Sequence, residues 1–439
     1  MEKIDRHIIA LAGCYVCRFL LGAVLIFSGF VKAVDPMGTA IKLEEYLKAF
    51  GMSDLFYDWL LLLAAMSLAT LEFAIGIYLM IGIRRQSAST IALILMSIMT
   101  PLTLYLWIAN PVSDCGCFGD ALVMTNAESF GKNVVLFFLS IVTFKKRAQL
   151  KSLITPKTDW IIQLYAILFP FILSAYCLRN LPILDFRPYR IGVHIPTAMS
   201  IPEGATPDVW ESRFVLEKNG EKRTFTLDEY PDSTWTYLST ESVLKQKGYQ
   251  PPIHNFSIQR LEDGAELADS LLSAPGYTFL LIAPHLEESD DSNIDLINEI
   301  YDYCVEYQYG FLALTASPRE EVEMWCERTG GEYPFGIMDD VTLRTMIRSN
   351  PGLMLLHEGT IYNKWSNATL PDEYVLTDRL EQIPLGQLES PDDILTMSYV
   401  LLWFVLPLLL VTLIDALWMR SRRPSAAAAP QTNNTDTKK

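Results

Sequence analysis

Predominantly apolar stretches that meet or approach about 20 residues, enough to cross a bilayer at ~1.5 Å per residue, occur at residues 8–34, 59–83, 87–108, 160–178 and 397–419. A sixth, 130–144, is cleanly apolar only over 134–144 and needs Lys132 to snorkel or to face the bundle, so it either spans or lies in the interface. Loop charge decides between these readings. Basic clusters at Lys3/Arg6, Arg84/Arg85, 145–157 and 420–423 alternate with acidic loops at 35–58 and 110–129. Only six spans put every basic cluster on one side of the membrane. The predicted topology is a multi-pass protein of the cytoplasmic (inner) membrane, with both termini cytoplasmic and residues 181–395 extracytoplasmic. The first span is longer than a signal-peptide core and lacks a small-residue cleavage site, so it reads as an uncleaved signal anchor. Residues 424–439, rich in Ala, Asn and Thr, read as a disordered tail.

Outside the spans the pattern changes period. Ile41, Leu43, Tyr46, Leu47 and Phe50 fit an amphipathic helix lying on the outer surface, after Asp35-Pro36 has ended the first span. Residues 181–250 predict a small β-rich unit, with strands at 189–194, 210–217 and 223–227 and a hairpin turn at Asn219-Gly220. From 251 to about 390 strands and helices alternate: strand 277–283, helix 293–307, strand 310–315, helix 318–329, a short segment at 335–338 and a helix at 342–348. A hairpin of strands 352–357 and 360–365 and a helix starting near Pro371 complete the set. This is a thioredoxin-like order. Pro351 stands where such folds keep a cis-proline. Where a thiol motif would follow the first strand, the chain reads Ala283-Pro-His-Leu-Glu-Glu-Ser-Asp-Asp291, without cysteine. Cys304 and Cys326 fall within helices and read as buried. The domain is expected to bind or dock, not to exchange thiols itself.

The fold class expected is therefore a membrane α-helical bundle of six transmembrane helices plus an extracytoplasmic α/β thioredoxin-like domain, preceded by a small β-rich unit. Its parts are a four-helix membrane domain at 1–150, a fifth span at 151–180, the β-rich unit at 181–250, the thioredoxin-like domain at 251–390, a sixth span at 396–419 and a tail. Charge sharpens this division. The net charge is −16, but residues 181–395 alone carry −22, and the remainder is mildly basic. No basic face exists to neutralise phosphates along a nucleic acid, and half the chain is apolar, which excludes wholesale disorder.

Two features carry candidate chemistry. Arg18 and Glu72 both count to about 15–16 Å from the cytoplasmic ends of neighbouring antiparallel spans, so the two are expected to pair. That pair is either a proton or ligand site or a structural salt bridge. Cys115 and Cys117, separated by Gly116, lie in an outer loop between spans. Such a pair can close a small, strained and easily reduced disulfide in an oxidising compartment. It can equally be a loop staple or two inert thiols. A metal site is disfavoured because the loop has no His and offers only Asp114 and Asp120 as hard donors. Cys14 and Cys17, early in the first span, read as apolar filler.

Arg18, Ser28-Gly-x-x-Lys32-x-x-Asp35-Pro36, Glu45-Tyr46, Glu72-x-x-x-Gly76 and Asp114-Cys-Gly-Cys117-Phe-Gly-Asp120 together resemble the DoxX/MauE-like family of small four-helix membrane proteins over residues 5–150. The resemblance implies a link to methylamine utilisation or to quinone- or thiol-dependent redox chemistry, with a quinone as the possible cofactor. It marks Lys32, Asp35, Glu45, Asp114 and Asp120 as motif residues beside Cys115 and Cys117. Two function classes follow. One is a redox-linked membrane protein with an extracytoplasmic thiol partner. The other is a non-enzymatic scaffold whose thioredoxin-like domain only recognises a partner. A transporter lined by Arg18 and Glu72 is a weaker third.

Overall fold

The structure, a computed structural model, describes residues 2–421 apart from 53–56, 113, 207–208, 219–220, 227–230, 232–233, 247, 255 and 390. The tail at 424–439 and the Asn219-Gly220 turn therefore lie outside the described residues. The chain forms two compact units, Met1–Phe186 with Pro391–Lys439, and Arg187–Ser390.

The first unit comprises α1 (Glu2–Val34), α2 (Pro36–Ala49), α3 (Asp58–Ile81), α4 (Arg85–Ala109), α5 (Asn126–Lys146), α6 (Asp159–Asn180) and a last helix, Asp393–Ser421. Six of these are long and apolar enough to cross a membrane; α2 is the exception. The short predicted span is a full helix of 21 residues. Its start is fixed by a capping box in which Thr125 Oγ1 accepts from the Glu128 N–H at 3.3 Å and Glu128 Oε2 accepts from the Thr125 N–H at 2.9 Å. Asp35 performs two jobs at once: α1 stops before it, and its carboxylate caps α2 by accepting from the Gly38 N–H at 2.8 Å, with Pro36 at the first helical position.

Packing in this unit is closest between α1 and α3. A Cβ on Gly29 would stand 2.5 Å from the Phe73 nitrogen, and one on Gly76 would stand 2.8 Å from the Gly22 oxygen. Two backbones can approach this closely only where neither carries a side chain. The last helix returns to α6 through Phe404, whose ring centroid is 4.7 Å from that of Phe169. It is fastened at its far end by Asp415, which accepts from the Thr155 N–H at 3.0 Å and the Thr158 hydroxyl at 2.8 Å.

The second unit contains α7 (Ile195–Met199), β1 (Val209–Lys218), β2 (Glu221–Thr226), β3 (Thr236–Gln246), β4 (Gln259–Arg260), α8 (Ala268–Leu272), β5 (Tyr277–Ile282), α9 (Ile294–Tyr307), β6 (Gly310–Thr315), α10 (Arg319–Thr329), β7 (Phe335–Ile337), α11 (Asp340–Met346), β8 (Gly352–His357) and β9 (Thr360–Ser366). One sheet has the order β2-β1-β3 and is antiparallel; the other has the order β4-β7-β6-β5-β8-β9. Within the larger sheet β5 and β6 run parallel, and β8 and β9 follow antiparallel on the other side of β5. That is the thioredoxin-like arrangement. Helices and aromatic side chains bury β5 completely, with Phe279, Leu281, Trp325 and Leu355 at its core. The Asn350–Pro351 bond is cis, as the position of Pro351 suggested.

Three expectations need correction here. Residues 189–194 are not a strand of the small unit. They run beside the edge strand β9, with Gly192 N–H donating to the Ile361 oxygen at 2.8 Å and only His194 forming a bridge. An exposed sheet edge is thereby covered. The small sheet's third strand is instead β3. The helix expected near Pro371 is absent: among the described residues, 370–390 hold only short 3-10 turns at Leu380–Gln382 and Pro384–Gly386.

Candidate functional site

Antiparallel packing of α1 on α3 sets which side chains meet. Gly29 lies against Phe73 and Gly22 against Gly76, so residue 28 is level with residue 72, and residue 18 with residue 82. Arg18 and Glu72 therefore do not pair. They are about ten residues, ~15 Å, apart in depth, because Arg18 stands level with Gly82, the C-cap of α3, and not with the middle of that helix. Arg18 instead packs at Gly82, with Nη1 donating to the Lys151 oxygen at 3.2 Å.

The partner of Glu72 is Lys32. Their ammonium and carboxylate are 2.7 Å apart and both side chains are almost fully buried. Ser28, one turn before Lys32 on the same face, lies between them: Lys32 Nζ is 2.6 Å from Ser28 Oγ, which is 2.7 Å from Glu72 Oε2. This triad reaches the cysteine loop. Lys32 Nζ donates to the Cys117 carbonyl at 2.9 Å, and Ser28 Oγ lies 2.9 Å from the same oxygen.

The loop is held from its other side by α2. Lys42 forms ion pairs of 2.8 Å with both Glu45 and Asp114, and its aliphatic stem packs over Gly116. Burial works against the Lys42 ammonium, but the hydrogen bonds to Asp114 and Glu45 outweigh it and push its pKa up. Tyr46 donates its hydroxyl to the Cys115 carbonyl. Asp114 Oδ2 accepts from the Gly116 N–H at 2.9 Å, turning the loop where Gly116 has φ +59°. Phe118 packs edge-on against Phe27 at 5.2 Å and lies under the Lys132 ammonium at 4.0 Å. Lys132 thus faces the bundle. Asp120 is exposed in a 3-10 turn at Gly119–Ala121.

Four helices and one loop so converge on two sulfurs. Cys115 and Cys117 are free thiols whose Sγ atoms lie 2.8 Å apart; Cys115 is buried and Cys117 half-buried. The hydrogen bond from Cys115 pulls the Cys117 thiol below its ordinary value, assisted by Lys132 and Lys32 and opposed by burial and by Glu72. Cys115 is pushed up by the same hydrogen bond and by burial. Cys117 is the stronger nucleophile of the pair at neutral pH. Its alkylation by iodoacetamide, followed site by site by mass spectrometry, is expected to reach half its plateau rate at a pH below that of an ordinary thiol. Lys132→Met should move that midpoint upward. A midpoint near 9 in both proteins would contradict the electrostatics.

Of the residues singled out from the sequence, Lys32, Glu45, Asp114, Cys115, Cys117 and Glu72 meet here. Asp35 acts at one remove as the cap of α2, and Arg18 lies elsewhere. Ser28, Lys42, Tyr46 and Lys132 were not picked out as site residues. The i,i+4 spacing of Ser28 and Lys32 and the lone cation at 132 were the available signals.

The cavity beside the cysteine loop does not fit a quinone. An apolar cavity of about 360 Å³ adjoins the loop through Phe27 and Val31, and Phe30, Phe73 and Phe404 also line it. None of its lining residues has a polar side chain to bind a quinone carbonyl. In the second unit, His285 occupies the place of the missing thiol motif. Its Nε2 is 3.0 Å from Asp340 Oδ1 and its carbonyl accepts from Asn350 Nδ2 at 2.8 Å.

Residues 8–145 match the family model described as methylamine utilisation protein MauE. The N-terminal third is a MauE domain. Residues 210–247, the small antiparallel sheet, match a domain of unknown function, DUF8463. No curated protein matches the chain. Among solved structures, a candidate protein disulfide isomerase from Bacteroides thetaiotaomicron is similar at 17% identity, over 27% of this chain and 78% of that one, with a TM-score of 0.23. The thioredoxin-like assignment of the second unit rests on its strand order. The MauE domain supplies every residue of the thiol site.

Proposed function

We propose that this multi-pass membrane protein exchanges disulfides with an extracytoplasmic thiol protein through Cys115 and Cys117. The observation that carries the reading is the seating of two sulfurs at 2.8 Å, one of them facing two lysines, on a buried charged triad. Cys117 thiolate attacks one sulfur of a partner disulfide and releases the other partner sulfur, which takes a proton. Cys115 then gives up its proton and displaces the second partner thiol. The pair ends as a disulfide and the partner as a dithiol, two electrons richer.

Orientation supports this chemistry. Arg84, Arg85, Lys145, Lys146, Lys151 and Lys157 gather at one end of the spans, the pattern of a cytoplasmic face. The cysteine loop and residues 181–395 then lie outside, where a disulfide persists. The association with methylamine use comes with the family description; thiols and lysines at the site argue for exchange with a protein partner. Recognition of that partner falls to the second unit, whose thioredoxin-like sheet carries His285 where the thiols would be. That substitution also favours the alternative of a non-enzymatic scaffold with a structural cysteine loop.

Differential alkylation in intact cells separates the two. Both dithiol and disulfide forms of the pair are expected, shifting with the growth medium, and Cys115→Ser combined with Cys117→Ser should abolish function at unchanged protein level. A pair held in one state under all conditions, with the double variant fully functional, leaves only the scaffold.

A further inference from the structure

We infer that the opposite end of the MauE domain binds a phosphate-class oxyanion, seated on Arg18 and closed over by Arg85 and Arg147. The residue that did not pair with Glu72 is the starting point. Arg18 is 1% exposed, and only its Nη1 has an acceptor, the Lys151 oxygen. Its Nε and Nη2 are buried without a partner. Aromatic faces of Tyr15 and Phe19, at 4.9 and 5.0 Å, sandwich the guanidinium but accept no hydrogen bond in its plane.

Arg18 lines a small cavity together with Gly82, Arg85, Ser89, Thr143 and Arg147. Three guanidinium groups thus share one space, and none of the residues lining it is a carboxylate. The two hydroxyls of the lining are engaged with backbone carbonyls. Ser89 Oγ donates to the Arg85 oxygen at 2.6 Å and Thr143 Oγ1 to the Leu139 oxygen at 2.8 Å. Gly82 leaves the approach open, since a Cβ there would stand 2.8 Å from Arg18 Nη1. An anion placed between them would satisfy the unpaired donors of Arg18 and offset the mutual repulsion of the three guanidinium groups.

Size and depth narrow the anion. The cavity holds about 10 Å³, one water or one oxygen atom. A tetrahedral oxyanion can place one oxygen there and offer the others to Arg85, which is exposed, and Arg147, which is half-buried. The cavity lies where α3 ends and α4 begins, the level of lipid phosphates at a membrane surface. The ligand is then a lipid phosphodiester or free phosphate, and the two are separable by experiment.

The full-length protein in detergent is followed by thermal unfolding while inorganic phosphate, phosphatidylglycerol or phosphatidylcholine is added, at constant ionic strength. At least one phosphate source should raise the unfolding temperature. Stabilisation by the lipids without inorganic phosphate identifies a headgroup, and stabilisation by inorganic phosphate identifies the free ion. Arg85→Gln with Arg147→Gln, at the mouth and away from the core, should weaken the effect about tenfold or more. Arg18→Met should remove it. If that variant fails to fold, the mouth variants decide alone. No shift with any of the three additives, or equal shifts in wild-type and mouth variants, overturns the site and leaves the cavity to a water.

Discussion

Exchange of Lys32 for methionine is expected to cost about 3–5 kcal/mol of stability, the usual consequence of stranding one partner of a buried ion pair. Glu72 would be left as an isolated carboxylate at 3% exposure, with Ser28 as its sole remaining hydrogen-bond partner among the described contacts. Adding Glu72→Leu should recover most of the loss, because the double variant buries no unpaired charge. Unfolding of the two variants in detergent checks this directly; equal destabilisation would mean the pair is not the reason for the cost. The double variant has a second use. It removes the ammonium that holds the Cys117 carbonyl, so thiol alkylation should change in a protein that still folds.

Gly29→Val is expected to be at least as damaging. The new side chain would overlap the Phe73 nitrogen at 2.5 Å and the Ala69 oxygen at 2.7 Å, both backbone atoms that cannot rotate aside. Overpacking of this kind costs about 1–3 kcal/mol. Pushing α1 off α3 also parts Ser28 and Lys32 from Glu72, so the ion-pair loss adds to it. Gly22→Ala should be milder, since part of its contact is the flexible Met80 side chain. Gly13→Ala, with nothing within 4 Å, is the control and should be neutral or slightly stabilising. The yield of folded protein and its unfolding temperature rank the three; a Gly29→Val protein matching Gly13→Ala would remove the close helix contact from the account.

These two variants also mark where sequence reading succeeded and where it stopped. The spans were legible because about 20 apolar residues in a row have few other uses. The cysteine loop was legible because Cys-Gly-Cys is a local pattern. Pairing across helices was not, because it depends on register. Counting depth from Ile8 placed Arg18 opposite Glu72, whereas the glycine contacts slide the helices so that Ser28 and Lys32 stand there. In the second unit, strands buried on both faces such as β5 were found to within a residue. Missed elements lacked a strong periodic signal. Residues 236–246 alternate polar and apolar side chains only loosely and become a strand by pairing with β1. Beyond Pro371 the chain is polar and turns instead of coiling.

The triad beneath the thiols has a mechanical implication. One ammonium serves as counter-ion to a buried carboxylate and as anchor for the backbone of Cys117. Lifting that segment toward solvent would leave an isolated buried charge, so the sulfurs remain docked. Any molecule trading electrons with them has to come down to the membrane surface and present its own reactive bond.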